Sequence, residues 1–376
     1  MKKILILTGR YLPGHKDGGP LRTIINLTDA LGDEYEFYIA CLDRDHGDFE
    51  PYADIIYNEW NTVGKAKVWY VKPGGFSCKL IERLAKDVDL IYTCGFYGDY
   101  GYKTLILNKL GKLYGKPVAV AAMGTFSSGA LAHKSLKKKV FIAGCKSLGL
   151  FNKIKWSVTS ELELADVKNN IGKNAECIIA EDLPRTSIPG IKPYKKYEKK
   201  LKIAFLSRIA PQKNLLGTIR CLNMLEKEVD FSIFGPEEDK EYWARCQEEL
   251  KKLPDNIHWE YRGDVPSESV QKTLQMYDAF LLPTKGENYG HVIFEALSVG
   301  CIPIISDQTP WKIIADKKAG YVLPLTEDMK AFTEALNELI EMSYEQRRKM
   351  SESAVKIAEE KVAQSKKETG YRTIFG

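Results

Sequence analysis

The sequence holds no C-x-x-C pair, no G-x-G-x-x-G and no G-x-x-x-x-G-K-[ST]. Those gaps exclude the simplest paired-thiol metal, dinucleotide and P-loop readings. Histidine is scarce, at five residues, and the eight cysteines (41, 78, 94, 145, 177, 221, 246 and 301) lie singly. Buried, unpaired thiols in a reducing compartment are therefore expected rather than a disulfide framework or a zinc site. No apolar run reaches the roughly 18–20 residues that span a bilayer. The longest candidate, Val118 to Ala132, is interrupted by Thr125, Ser127 and Ser128. The opening Met1-Lys2-Lys3-Ile4-Leu5-Ile6-Leu7 soon meets Arg10, Lys16 and Asp17, which predicts a buried first strand in place of a signal peptide. A formal net charge of +5 over 376 residues is too mild to point to nucleic acid.

What the chain does have is ordinary globular composition, 44% hydrophobic and 28% charged, over a length that suits two domains. Short apolar runs alternate with helix-period segments, as in parallel sheets covered by helices. Strands are predicted at 4–7, 36–41, 66–71, 88–93, 118–122, 156–159 and 177–180. A second series follows at 202–206, 230–234, 257–261, 279–282 and 302–305. Leu21, Ile24, Ile25, Thr28 and Leu31 form one helix face, opened by Pro20 and stopped near Gly32. Ser160 with Glu163 makes a capping-box pair. The tail from Tyr344 to Lys367 reads as one or two charged amphipathic helices. The alternation breaks at residues 184–200, a stretch with three prolines and five lysines. The expected organisation is an α/β chain of two doubly wound, Rossmann-like domains, 1–184 and 201–359, joined by a linker at 185–200. Ligands of such folds bind at strand carboxyl ends, so a cleft between facing domains is the expected site.

Four constellations carry candidate chemistry. Gly18-Gly19-Pro20 follows the first strand and opens a helix, where backbone amides and a helix N-terminus can meet an anion or can simply make a tight turn. Ser207 to Asn214 places Arg208 and Lys213 after a strand, either straddling a diphosphate or solvated in a loop. In Gly286 to Leu297, Glu287 lies on a loop and could accept from sugar hydroxyls, and the amides of Asn288, Tyr289 and Gly290 could face phosphate or sugar oxygens. Glu295 sits among Val292, Ile293, Phe294, Ala296 and Leu297. A carboxylate there needs donors, which a vicinal diol such as ribose would supply. A salt-bridged helix Glu and an exposed loop Glu fit the same spacing. Finally, His133 to Lys155 carries Lys134, Lys137, Lys138, Lys139, Lys146, Lys153 and Lys155 without one acid, interleaved with apolar residues. It suits an anionic membrane surface, or a solvated helix face over a core.

In combination these elements resemble glycosyltransferase family 4, the large retaining family of the GT-B fold. Glu287 and Glu295 reproduce its E-x7-E signature, and Phe205-Leu206-Ser207-Arg208 with Lys213 is similar to its strand–R-x4-K element. Tyr261-Arg262-Gly263-Asp264-Val265 resembles its base-pocket loop, and Gly18-Gly19 its N-terminal glycine pair. Met123-Gly124-Thr125, Thr159-Ser160-Glu161 and Thr309-Pro310-Trp311 look like members that build capsular polysaccharides, exopolysaccharides and O-antigens. The resemblance implies that Arg208 and Lys213 hold the donor's diphosphate and that Glu287, with the backbone from Asn288 through Tyr289 and Gly290 to His291, holds the donor sugar. It implies further that Glu295 binds ribose, that Gly263 and Val265 border the base, and that Gly18 and Gly19 admit the donor phosphates. Catalysis would rest on Arg208, Lys213 and Glu287, with Gly124 and Thr125 on the acceptor side. The C-terminal helix, about 360–376, would pack back on the first domain.

Two departures from the family pattern stand out. Met123-Gly124-Thr125 replaces a frequent His, and Glu181-Asp182 stand where an Asn is frequent. No metal or other cofactor is expected, because Arg and Lys replace it and no D-x-D sits in a suitable loop. The implied partners are a UDP- or GDP-sugar donor, a lipid-linked glycan acceptor and an anionic membrane. That makes the expected location cytoplasmic, peripheral on the inner face of the plasma membrane. A nucleotide-sugar 2-epimerase-like enzyme and a non-catalytic nucleotide-sugar-binding subunit are the alternatives.

Overall fold

A computed structural model describes residues 1–126, 135–191 and 200–376. The chain forms two units, Met1–Leu183 with Ser365–Gly376, and Pro184–Gln364. Part of the run from Val118 to Ala132, His133 and Lys134 of the basic stretch, and residues 192–199 of the linker lie outside the described residues.

Unit 1 is built on an eight-stranded sheet in the order β3-β4-β2-β1-β5-β6-β7-β8. Its strands are β1 (Lys2–Leu7), β2 (Tyr35–Leu42), β3 (Asn61–Val63), β4 (Ala66–Val71), β5 (Leu90–Cys94), β6 (Val118–Ala121), β7 (Ile154–Val158) and β8 (Glu176–Ile179). All pairings are parallel except β3 with β4. Both faces are buried, which explains why the strands read as continuous apolar runs rather than alternating ones. Leu5 and Leu7 pack with Ile81, Leu105 and Ile142, from α2 (Cys78–Ala85), α3 (Asp99–Lys109) and α4 (Ser135–Ser147). Ile4 and Ile6 pack on the other face, with Leu21 and Ile24 of α1 (Gly19–Leu31) and with Tyr371, Ile374 and Phe375 of the terminal helix. Ser160 caps α5 (Glu161–Ile171) by accepting from the Glu163 amide, as the capping-box spacing predicts.

Unit 2 has six parallel strands in the order β11-β10-β9-β12-β13-β14. They are β9 (Leu201–Leu206), β10 (Val229–Phe234), β11 (Ile257–Tyr261), β12 (Ala279–Leu282), β13 (Ile302–Ser306) and β14 (Tyr321–Leu323). Among the described helices are α6 (Leu215–Leu222), α7 (Lys240–Leu250), α8 (Val270–Leu274), α9 (His291–Ser298), α10 (Ile313–Asp316) and α11 (Lys330–Glu341). One core runs through the unit, around Phe205, Phe231, Phe280 and Phe294. The charged tail is a single helix, α12 (Tyr344–Lys367), followed by α13 (Gly370–Phe375).

Residues 185–191, read as part of a linker, are held to unit 2. Gln271 donates to the Ser187 carbonyl at 2.9 Å, Gln275 to that of Gly190 at 2.8 Å, and the Gly190 amide to that of Ser298 at 3.0 Å. None of the eight cysteines forms a disulfide, and Cys78 corrects the expectation of burial by lying exposed at the start of α2. Strands β3 and β14, three residues each, are additions to the predicted series.

Candidate functional site at the strand ends

All six strands of unit 2 are parallel, so their carboxyl ends share one edge. The chain moves outward from β9 through β10 to β11, then returns to add β12 on the other flank of β9. The β9/β12 boundary is therefore the topological switch point, where the loops diverge and leave room for a ligand. Arg208 and Lys213 lie on the loop after β9, and Glu287 to Gly290 on the loop after β12.

The floor between those loops is braced by backbone and side-chain bonds. The Lys285 amide donates to the Gln212 carbonyl at 2.8 Å and Asn214 to the Pro283 carbonyl at 3.0 Å, while the Glu287 amide donates to the Gln308 carbonyl at 3.1 Å. Asn214 also caps α6, accepting from the Gly217 amide at 3.3 Å. Across this floor Lys213 Nζ meets Glu287 Oε1 at 2.5 Å, with both side chains largely shielded from solvent. Arg208 turns the other way and pairs at 2.5 Å with Glu238, on the loop after β10, in a half-exposed bridge. The two cations read as one clamp thus leave the same strand end but each rests on its own carboxylate.

Gly290 opens α9 with φ 80°, a left-handed backbone that a side chain adopts only under strain. A Cβ there would also stand 2.8 Å from Ile293 Cδ1. The Ile293 amide is given to the Gly290 carbonyl at 2.8 Å, so the helix-start donors that an anion or a sugar oxygen could accept from are the two amides before it. Trp311, from the loop after β13, donates its indole N–H to the Tyr289 carbonyl, and the two rings meet edge-on at 5.4 Å. The His291 ring lies 4.8 Å from that of Tyr289, and Asn288 is exposed. Glu295 is 5% exposed, as its apolar neighbours suggest, and Arg185 forms an ion pair with it at 3.7 Å. Sequence reasoning missed Arg185. It lies 110 positions earlier in a stretch with the composition of a linker, and no local pattern marks it. Gly263 accepts from the Gly235 amide at 2.8 Å, and Val265 is partly buried against the core. Burial pushes the Tyr261 phenol up, and its hydroxyl donates to the Gly235 carbonyl at 2.9 Å, which steadies the same rim.

Unit 1 has its own switch point, between β1 and β5. Gly18 (φ 63°) is the N-cap of α1, with Pro20 in the first turn. A Cβ placed on Gly19 meets no atom within 4 Å, so the protein's own packing does not demand a glycine there. The loop leading to it is tied down by Asp45, which accepts from the amides of His15 at 2.6 Å and Lys16 at 3.1 Å. Gly124 and Thr125 sit in a turn after β6, but the Gly124 amide is already given to Glu163 at 2.5 Å. The same carboxylate accepts from the Thr159 amide and hydroxyl, at 2.7 and 2.9 Å. Of the two residues assigned to the acceptor side, Gly124 thus has its amide engaged by that clamp, and the Thr125 amide is given to the Ala122 carbonyl at 3.0 Å. Asp182 is buried and accepts from the Thr23 hydroxyl at 3.0 Å, while Glu181 is exposed.

Among the described residues, no helix is long and apolar enough to cross a membrane, and no group of three or more His, Cys, Asp or Glu is arranged to hold a metal ion.

Residues 190–357 match the family model described as "Glycosyl transferases group 1". A curated relative, poly(glycerol-phosphate) alpha-glucosyltransferase of Bacillus subtilis (strain 168), is 29% identical over 166 residues. That match covers 43% of this chain and 24% of the relative, so the chain spans about a quarter of the relative's length. Among solved structures, sucrose-phosphate synthase of Thermosynechococcus elongatus is similar with a TM-score of 0.72 at 13% identity, covering 100% of this chain and 99% of that one. Anabaena HepE in complex with UDP-glucose gives 0.73 at 13% identity with the same coverage. These likenesses establish the GT-B fold, two Rossmann-like units, as the sequence led us to expect.

Proposed function

We propose that this chain is a retaining glycosyltransferase. It would move a hexosyl group from a UDP- or GDP-sugar to a hydroxyl of a glycan carried on a lipid, in the synthesis of a surface polysaccharide. The observation that carries the reading is the meeting of the Arg208–Lys213 loop with Glu287 and the α9 N-terminus at the β9/β12 switch point, inside the segment matched to group 1 glycosyl transferases. The Bacillus relative supports it by name, as an alpha-glucosyltransferase acting on poly(glycerol-phosphate).

In this reading Lys213 exchanges Glu287, and Arg208 exchanges Glu238, for the oxygens of a diphosphate. The released Glu287 then accepts from hydroxyls of the donor sugar, beside Asn288, Tyr289, Gly290 and His291. Glu295 accepts from the ribose diol, and Gly263 with Val265 borders the base. The bond from the sugar's anomeric carbon to the diphosphate oxygen breaks as the acceptor oxygen bonds to the same carbon on the same face. The acceptor's proton passes to the departing diphosphate. Negative charge grows on that leaving group, so fixed cations and helix-start amides stabilise the transition state more than the ground state. Arg208 and Lys213 take the part a divalent ion would otherwise play. Exposed basic and apolar side chains on α4 support docking at an anionic membrane, with the protein cytoplasmic and peripheral on the inner face of the plasma membrane.

The test is a donor panel scoring UDP or GDP release, run with membrane lipid extract as acceptor. Arg208→Ala and Lys213→Ala are each expected to lower kcat/KM by roughly ten- to a thousand-fold, the scale of losing one preorganised donor. Wild-type turnover in either variant refutes the assignment. Nucleotide binding without turnover of any donor would make the chain a binding subunit.

A further inference from the structure

Arg185 is drawn toward Glu295 by the way unit 2 begins. Gln271 bonds to both the Ser187 carbonyl and the Ser298 hydroxyl at 2.9 Å, which ties the incoming segment to α8 and to the last turn of α9. The Arg185 guanidinium then lies 3.4 Å from the Ser267 carbonyl and from Gln271 Oε1, and 3.7 Å from Glu295 Oε1. That last separation is an ion pair and longer than a hydrogen bond. Arg185 therefore supplies charge to Glu295 without placing an N–H on that oxygen.

The distinction matters for a carboxylate that is 5% exposed. A buried carboxyl without a nearby cation tends to keep its proton. Protonated, it carries a donor on one oxygen and accepts more weakly, without the charge that strengthens bonds from both hydroxyls of a diol. Ionised, it is acceptor-only on both oxygens. The Arg185 charge, 3.7 Å from Glu295 Oε1, favours the second form.

We propose that Arg185 is a positioning residue: it keeps Glu295 ionised and aimed so that the site selects nucleotides bearing both ribose hydroxyls. This rests on Glu295 being the ribose-binding carboxylate of the proposed function, and it adds a determinant outside the E-x7-E pair.

The test uses the full-length protein and calorimetric titration with UDP and GDP, each beside its 2′-deoxy form. Glu295→Gln is the control for the ribose assignment. In Arg185→Gln the ribonucleotide is expected to weaken by about 10- to 100-fold, the equivalent of one lost charge-assisted bond, while the 2′-deoxy form changes by less than about threefold. Arg185→Lys, which keeps the charge, is expected to recover part of the preference, and it keeps the test decisive should the Gln variant fold poorly. Equal weakening of both nucleotides in Arg185→Gln, or an undiminished ribose preference while Glu295→Gln abolishes it, overturns the proposal alone. Failure of the wild type to bind either nucleotide, or a ribose preference that Glu295→Gln leaves intact, overturns the nucleotide reading and takes this proposal with it.

Discussion

Lys213 and Glu287 are separated by 74 residues yet meet at 2.5 Å, largely shielded from water, and each cation of the strand-end site rests on a carboxylate. Pairing offsets part of the cost of taking the Lys213 and Glu287 charges out of water, and under the proposed function each cation would exchange its carboxylate for the oxygens of a diphosphate. The same reasoning applies to Asp45, which secures the loop before Gly18. Burial alone would raise its carboxyl, but the amides of His15, His46 and Lys16 outweigh that and hold it below the ordinary carboxylate range. A depressed carboxyl stabilises the fold above its unfolded value, near pH 4, and loses that contribution as pH falls through the folded one. Asp45→Asn is expected to cost about 1–3 kcal/mol at neutral pH, the usual worth of hydrogen bonds to a charged group. The gap to wild type should close as denaturation is followed from pH 6 down to pH 3. A gap that stays constant would show that the Asp45 charge does not hold this loop.

Helix α4 shows how an element can serve two surroundings. Phe141, Ile142 and Cys145 turn inward to the unit 1 core. Leu136 (74% exposed) and Val140 (64%), one turn apart, face outward with Lys137, Lys139 and Lys146 also exposed. The inward face is the helix face over a core, and the outward face is the one the proposed membrane contact would use. Apolar side chains standing in solvent among lysines are what a helix lying on an anionic surface requires. Each lysine near such a surface contributes about 1 kcal/mol. Replacing Lys137, Lys138 and Lys139 with Glu is expected to release the protein from vesicles containing phosphatidylserine in a flotation assay, with donor turnover on a soluble acceptor kept. Undiminished flotation would remove α4 from the membrane contact.

At the scale of the whole molecule, the chain leaves unit 1 at Leu183 and re-enters it at Ser365, so residues Ser365–Gly376 complete unit 1. Tyr371, Ile374 and Phe375 are buried against Ile4, Ile6 and Phe37, and Arg372 pairs with Glu34 at 2.7 Å. At about 1.5–3 kcal/mol for each buried side chain, their removal amounts to roughly 5 kcal/mol or more, a large share of a domain's net stability. A chain ending at Lys367 is expected to show its first calorimetric transition lowered by about 10 °C or more, or to be insoluble when expressed. A first transition within 2 °C of wild type would show that the terminal helix is dispensable to that core.

Much of this molecule was legible from local pattern. Parallel strands buried on both faces are near-continuous apolar runs, so 66–71 and 279–282 are read to the residue, and the largely exposed edge strand 257–261 is read to the residue as well. The three-residue edges β3 and β14 carry too short a pattern to register. For the site, the sequence determined which residues leave the strand ends, because a strand-to-helix loop is a local feature. It could not decide which carboxylate each cation rests on, nor that Arg185 stands beside Glu295. Those pairings follow from strand order and from the bonds that fasten 185–191 to α8 and α9, contacts made across 30 to 110 residues. Charge acts through space, and only the fold sets that distance.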